Sequence, residues 1–205
     1  MKINHKFFFV LVLILTNGHA LSVEAKTNFT SGKDPKERIA SAEAALAADP
    51  RDAKALYNRG TAYYELKDFD AAIRDLSAAI AIEPSAPDVF YNRGLSYRRK
   101  NLIDEAIADY TAAINLYSKQ PNYYINRCNA FLVKKEYENA ISDCSQAIAL
   151  QPADPMPYFL RGLAQLFKGD NAGAILDADH ALKLDPGYAD ALRLKEEASA
   201  ASATS

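Results

Sequence analysis

The sequence predicts an all-α protein, a solenoid of antiparallel helix hairpins, and three observations carry that prediction. Small residues recur at a step of 34: Gly60, Gly94, Cys128 and Gly162; Ala72, Ala106, Ala140 and Ala174; then Ala79, Ala113, Ala147 and Ala181. Around them apolar residues return every three or four positions, as one face of a helix requires. Pro84, Pro152 and Pro186 close three of the four units, with Ser118 in the second. A period of this length marks a stacked array, in which each hairpin has apolar surface left over and is stable only against its neighbours.

The elements follow in chain order. Lys2 and Lys6 precede nine apolar residues from Phe7 to Leu15. That run is too short for a bilayer, which needs about 20 residues, and it fits the apolar region of a secretory signal peptide. Small residues allow cleavage after Ala20 or after Ala25, so residues 1–20 are expected to be removed and the mature protein to be periplasmic or secreted. Residues 21–33 are polar and are expected to be a disordered linker. Asp34, Pro35 and Glu37 make a helix start, and residues 34–52 read as half a repeat. Four full units span 53–86, 87–120, 121–154 and 155–188. In the first, Leu56, Gly60 and Tyr63 share one helix face, Lys67 and Asp68 interrupt it, and Ala72, Leu76, Ala79 and Ile80 resume on a second helix. Residues 189–198 are expected to form a capping helix, and 199–205 a disordered tail.

Composition narrows the function classes. The apolar share is 49%, ample for a core, and the formal charge is −2. That balance supplies neither the phosphate neutralisation of a nucleic-acid binder nor a basic footprint for a membrane surface, and no stable membrane insertion is expected. Beyond the leader the one histidine is His180. No histidine triad, metal cluster, glycine-rich phosphate loop or CxxC pair can be assembled from these residues. No catalytic residue, metal or cofactor is therefore expected.

The recurring large apolar residue (Leu56, Phe90, Tyr124, Tyr158), the glycine, the aromatic at Tyr63, Tyr97 and Phe131, the two alanines and the closing proline resemble the tetratricopeptide repeat family. That resemblance covers about two-thirds of the chain. It implies a right-handed array whose first helices line a concave groove for a protein or peptide, here an exported adaptor. It also implies which residues face the groove. Asn58, Asn92 and Asn126 share one repeat position, where the similar asparagine ladder of the O-linked N-acetylglucosamine transferase clamps a peptide backbone. An amide offers both a donor and an acceptor for that purpose, although a short amide there could equally cap or solvate the helix. Tyr57, Tyr91, Asn129 and Phe159 complete the expected peptide-binding set. The two positions at which chaperone-tail binders carry basic residues read Tyr57 and Thr61, Tyr91 and Leu95, Ile125 and Asn129, and Phe159 and Leu163, so a carboxylate clamp is not expected. The groove positions become apolar towards Phe159, Leu160, Leu163, Leu166 and Phe167. A ligand, a second copy or the C-terminal helix must cover them, which leaves a self-associating envelope module, and hence a homo-oligomer, as the alternative function.

Two further patterns concern structure. Arg59, Arg93, Arg127 and Arg161 are each followed sixteen residues later by Asp75, Asp109, Asp143 and Asp177. They read as a ladder of structural ion pairs, since buried charges are normally paired, rather than as a basic stripe for an acidic ligand. Cys128 and Cys144 lie equally far from a hairpin turn near Glu136 and should meet where the helices cross. Export would favour a disulfide; two buried thiols packed as small apolar residues are the other reading.

Overall fold

The computed structural model describes residues 34–203, and the expected signal peptide and linker lie outside the described residues. These residues are all-α, ten helices without a strand among them. They fall into two compact units, the first ending at Ser118 and the second beginning at Lys119, so each unit carries two repeats.

The first unit contains α1 (Pro35–Ala48), α2 (Ala53–Glu65), α3 (Phe69–Ile82), α4 (Pro87–Arg99) and α5 (Ile103–Leu116). The second contains α6 (Pro121–Lys134), α7 (Tyr137–Leu150), α8 (Pro155–Lys168), α9 (Asn171–Leu184) and α10 (Ala189–Ala203). Within each unit consecutive helices pack as antiparallel neighbours, the solenoid arrangement that the period predicts.

Local chemistry sets the helix ends. Asp52, Asp68 and Asp170 accept from the backbone N–H three residues on, at 2.9–3.0 Å, filling donors that a helix start leaves open. Pro35, Pro87, Pro121 and Pro155 occupy first turns, where the missing N–H costs nothing. The first helix of every hairpin stops on a left-handed residue: Lys67, Asn101, Lys135 and Gly169, with φ of 64°, 61°, 62° and 87°. The N–H of the next residue then reaches back to Tyr63, Tyr97, Phe131 or Gln165 at 2.9 Å, the Schellman closure that turns the chain into its second helix.

Close approach of the two helices explains the small residues. Ala72, Ala106, Ala140 and Ala174 are fully buried. A Cβ on Gly60 would sit 2.9 Å from Leu76 Cγ, and one on Gly94 would sit 2.7 Å from Tyr110 Cε1. In the fourth repeat the crossing residue is Ala178, too short to reach, and Leu194 of α10 fills the space against Gly162 instead. Helix α10 packs on both α8 and α9. It stands one repeat step beyond α8, and Leu192, Lys195 and Glu196 follow Tyr158, Arg161 and Gly162 by 34 residues. No second helix follows it among the described residues, and Leu192 is 49% exposed.

One boundary differs from expectation. The last helix continues through Ala203 rather than ending at 198. Residues 198–203 hold only alanine and serine, with no glycine or proline to stop it, and the Ser199 and Ser202 hydroxyls donate to the carbonyls of Lys195 and Ala198. Such back-bonding lets serine stay within a helix.

Candidate functional site

The four arginine–aspartate pairs are built alike. In each, Nε donates to Oδ2 and Nη2 to Oδ1 of the aspartate sixteen residues on, at 2.6–2.9 Å. All four carboxylates are buried. This two-pronged geometry is the strong form of the interaction. Hydrogen bonding to the aspartate, aided by its charge and opposed by burial, pushes Arg59, Arg93 and Arg161 above the ordinary arginine range. The guanidinium faces of Arg93, Arg127 and Arg161 also lie 5.7–5.9 Å from aromatic centroids. Each cation is thus spent inside the fold, and the arrangement has the structural form rather than that of a ligand-gripping stripe.

The expected peptide-binding residues divide sharply. Asn58 and Tyr57 on α2 are partly exposed, while Tyr91, Asn92, Asn126, Asn129 and Phe159 are buried. Asn92 and Asn126 are each 2% exposed. Their amides donate to the carbonyls of Asp88 and Asn122, one turn back, at 2.7 and 2.9 Å. Asn92 also donates to the Tyr57 hydroxyl at 3.2 Å. The expected clamp is therefore corrected at these positions, because both amides are buried against their own helix and that of Asn92 also reaches Tyr57 of α2.

The two units treat the first-helix face differently. In the second, Phe159, Leu160 and Leu163 are at most 1% exposed, and the Phe159 ring packs on Tyr188, just before α10, with centroids 5.3 Å apart. The chain's own C-terminal segment supplies cover that the sequence left open. The first unit keeps Lys54 and Arg99 exposed, and Tyr57, Asn58, Tyr64 and Arg98 half-buried.

One residue here escaped sequence reasoning. Arg38 of α1, at the repeat place of Ala72, is buried and pairs with Glu65 of α2 at 2.6 Å. An arginine standing where every full repeat has alanine was the signal. Burial first, and then the charge of Asp88, pushes the Tyr57 hydroxyl up to about 12. Beside these, Tyr64 packs on Phe69 with centroids 5.7 Å apart, and Arg99 lies 5.5 Å from the same Phe69 ring.

Cys128 and Cys144 are joined as a disulfide, with their Cα atoms 5.8 Å apart. The bridge occupies the crossing that glycine opens in the other repeats and holds α6 to α7. His180 is exposed and stacks on Tyr158 at 5.4 Å. Among the described residues no group of three or more histidine, cysteine or acidic side chains is placed to hold a metal. None of the described helices is long and apolar enough to cross a membrane.

Comparison with known proteins agrees with this architecture. Family models described as tetratricopeptide repeats match residues 42–74 and 91–155, and one described as TPR repeat matches 60–101. No curated protein sequence matches the chain. Among solved structures, YrrB, titled a TPR protein with an unusual peptide-binding site, is 18% identical with a TM-score of 0.73, over 79% of this chain and 84% of its own. MamA is 22% identical with a TM-score of 0.63, over 79% of this chain and 89% of its own. The first TPR of Spaghetti (RPAP3), bound to the HSP90 peptide SRMEEVD, is 29% identical with a TM-score of 0.56, over 57% of this chain and 93% of its own. With its helix hairpins and with overlapping repeat matches from residue 42 to 155, the chain belongs to the tetratricopeptide repeat proteins.

Proposed function

We propose that the protein is an exported, non-catalytic adaptor that holds an extended polypeptide segment on the first-helix face of its N-terminal unit, in the groove formed by α2 and α4. Repeats of this family are generally interaction modules, and the peptide complex of the Spaghetti (RPAP3) domain is one such case. The observation that carries the reading is the contrast between units: α2 and α4 keep Lys54, Tyr57, Asn58, Tyr64, Arg98 and Arg99 at least partly accessible, whereas Phe159, Leu160 and Leu163 are closed. Aromatic rings interleaved with amide and cationic groups suit a peptide, which offers apolar side chains and backbone polar groups together. The self-associating alternative would have to use what Phe159, Leu160 and Leu163 leave accessible beside them, Leu166 and Phe167, which are half-buried.

The Cys128–Cys144 bridge supports export, since such pairs persist in oxidising compartments. Peptide-array binding by the full chain tests the groove. Exchanging Asn58 and Tyr64 together for alanine should weaken the bound peptides about tenfold or more. Unchanged binding, with the fold intact by circular dichroism, would remove the groove from consideration.

A further inference from the structure

Tyr188 is the odd member of its repeat position. The four full repeats have Asp52, Ala86, Gln120 and Asp154 there, immediately before the first helix, and both aspartates cap it. Tyr188 lays its ring on Phe159 of α8 instead, with centroids 5.3 Å apart. Phe159 stands at the repeat position of Tyr57, which the first unit leaves partly exposed. In the second unit the chain's own C-terminal segment thus sits on the face that the first unit keeps open.

The segment fills this place imperfectly. The Tyr188 hydroxyl is buried without a hydrogen-bond partner among the described residues, and so is Oδ1 of Asn129 on α6. Asn129 is 4% exposed and stands one repeat step before Leu163, on the first-helix face where α6 and α8 are in contact. Burial first, and then the charges of Asp190, Asp154 and Asp185, push the Tyr188 hydroxyl up. Buried polar groups are paired in the great majority of cases, and an unpaired one lowers stability. The hold on the segment is also light. Of the fifteen residues of α10 only Ala191, Leu194 and Ala198 are buried, and an element with few buried apolar contacts opens at low cost.

We propose that the α6–α8 face is a second binding site, for an extended segment bearing an aromatic residue, and that Tyr188 closes it in the free protein as an internal stand-in for that residue. The site opens when Tyr188 swings off Phe159. The incoming ring then takes its place on Phe159, a backbone N–H of the segment donates to Asn129 Oδ1, and the Tyr188 hydroxyl returns to water. The ligand's aromatic character follows from what the chain itself puts there, since a ring offers Phe159 both apolar area and a favourable edge or face. This site does not depend on the α2–α4 groove, so either can fail without the other.

The test is fluorescence anisotropy with the full chain carrying Asn58→Ala and Tyr64→Ala, which silences the first groove. The probes are short extended peptides, acetylated and amidated, each with one tyrosine or phenylalanine among small neutral residues, and a matched set with alanine in its place. Adding Tyr188→Ser should tighten binding of the aromatic set about tenfold or more, because the competent state is no longer held closed, and Asn129→Ala should reverse part of that gain. Adding Tyr188→Phe instead keeps the ring and its packing but removes the unpaired hydroxyl, so it should weaken binding of the same set. That second variant decides the matter if circular dichroism shows the first to be unfolded. Affinity unchanged by the folded variants, a gain shared by the alanine set, or no binding of the aromatic set by any of these proteins overturns the proposal, while the first groove, assayed with Asn58 and Tyr64 intact, stands. Dimerisation of the Tyr188→Ser protein without peptide binding, seen by analytical ultracentrifugation, overturns it in favour of a second copy on this face.

Discussion

Arg93 Nη1 donates to the Ser77 hydroxyl at 3.0 Å, which links one hairpin to the hairpin before it. The same guanidinium grips Asp109 within its own hairpin through Nε and Nη2. Arg161 repeats the arrangement in the second unit, with Asp177 in its own hairpin and Ser145 in the preceding one at 3.1 Å. A single side chain thus closes a hairpin and joins it to its neighbour, which makes the ladder a source of cooperativity between adjacent repeats.

Breaking one rung should cost more than the exposure of its arginine suggests. The Arg127 side chain is 17% exposed and that of Asp143 is 6% exposed. Arg127→Ala leaves a buried carboxylate without its cation and should destabilise the fold by about 3 kcal/mol. Exchanging both partners for apolar residues, Arg127→Met with Asp143→Leu, should recover much of that loss. Urea denaturation of the three proteins makes the comparison, and an Arg127→Ala midpoint equal to the unaltered protein's would show the rung to be dispensable.

The disulfide makes a separate prediction. Titration of denatured, unreduced protein should find no free thiol, since Cys128 and Cys144 are joined. Reduction should lower stability by roughly 3 kcal/mol through the closed loop it releases. Recovery of two thiols per chain would mean that the pair packs as buried thiols instead.

Alkaline pH should unfold the protein through its tyrosines. The folded protein holds Tyr57 neutral up to about 12, against 10 in the unfolded chain, and burial pushes Tyr110 and Tyr188 up as well. Between those values the unfolded state binds fewer protons, so stability is full below pH 10 and falls as pH rises towards 12. Tyrosinate absorbance and circular dichroism, followed together, should show these phenols ionising with the loss of helix. Ionisation near pH 10 with the helices intact would contradict their burial.

The repeat, its hairpins and the arginine–aspartate rungs were legible because each depends on a residue type recurring at a fixed place. Cys128 and Cys144 were legible for a related reason, since they replace a glycine and the residue it faces. The asparagines stayed open between two readings. Asn92 and Asn126 share a register with Asn58, but whether an amide faces a ligand or its own helix is decided by what covers it, and spacing does not contain that. Arg38 was missed because it departs from the repeat, standing where the four full units have alanine. The tail was read short because a run of alanine and serine looks like a loop by composition, yet it lacks any helix breaker.

Glu196 stands at the register that glycine or cysteine fills in the four full repeats. Wherever glycine stands at this register, the following helix comes within about 3 Å of where a Cβ would be, and a glutamate there bars a partner of that kind from α10. Copy number can therefore change by duplicating a module inside either unit, since each duplicate brings its own crossing residue. Fusing a further module after Ala203 would meet the carboxylate first. A hairpin added at that end would seat more readily with Glu196 exchanged for a residue as small as the glycine or cysteine that fills this register in the four repeats.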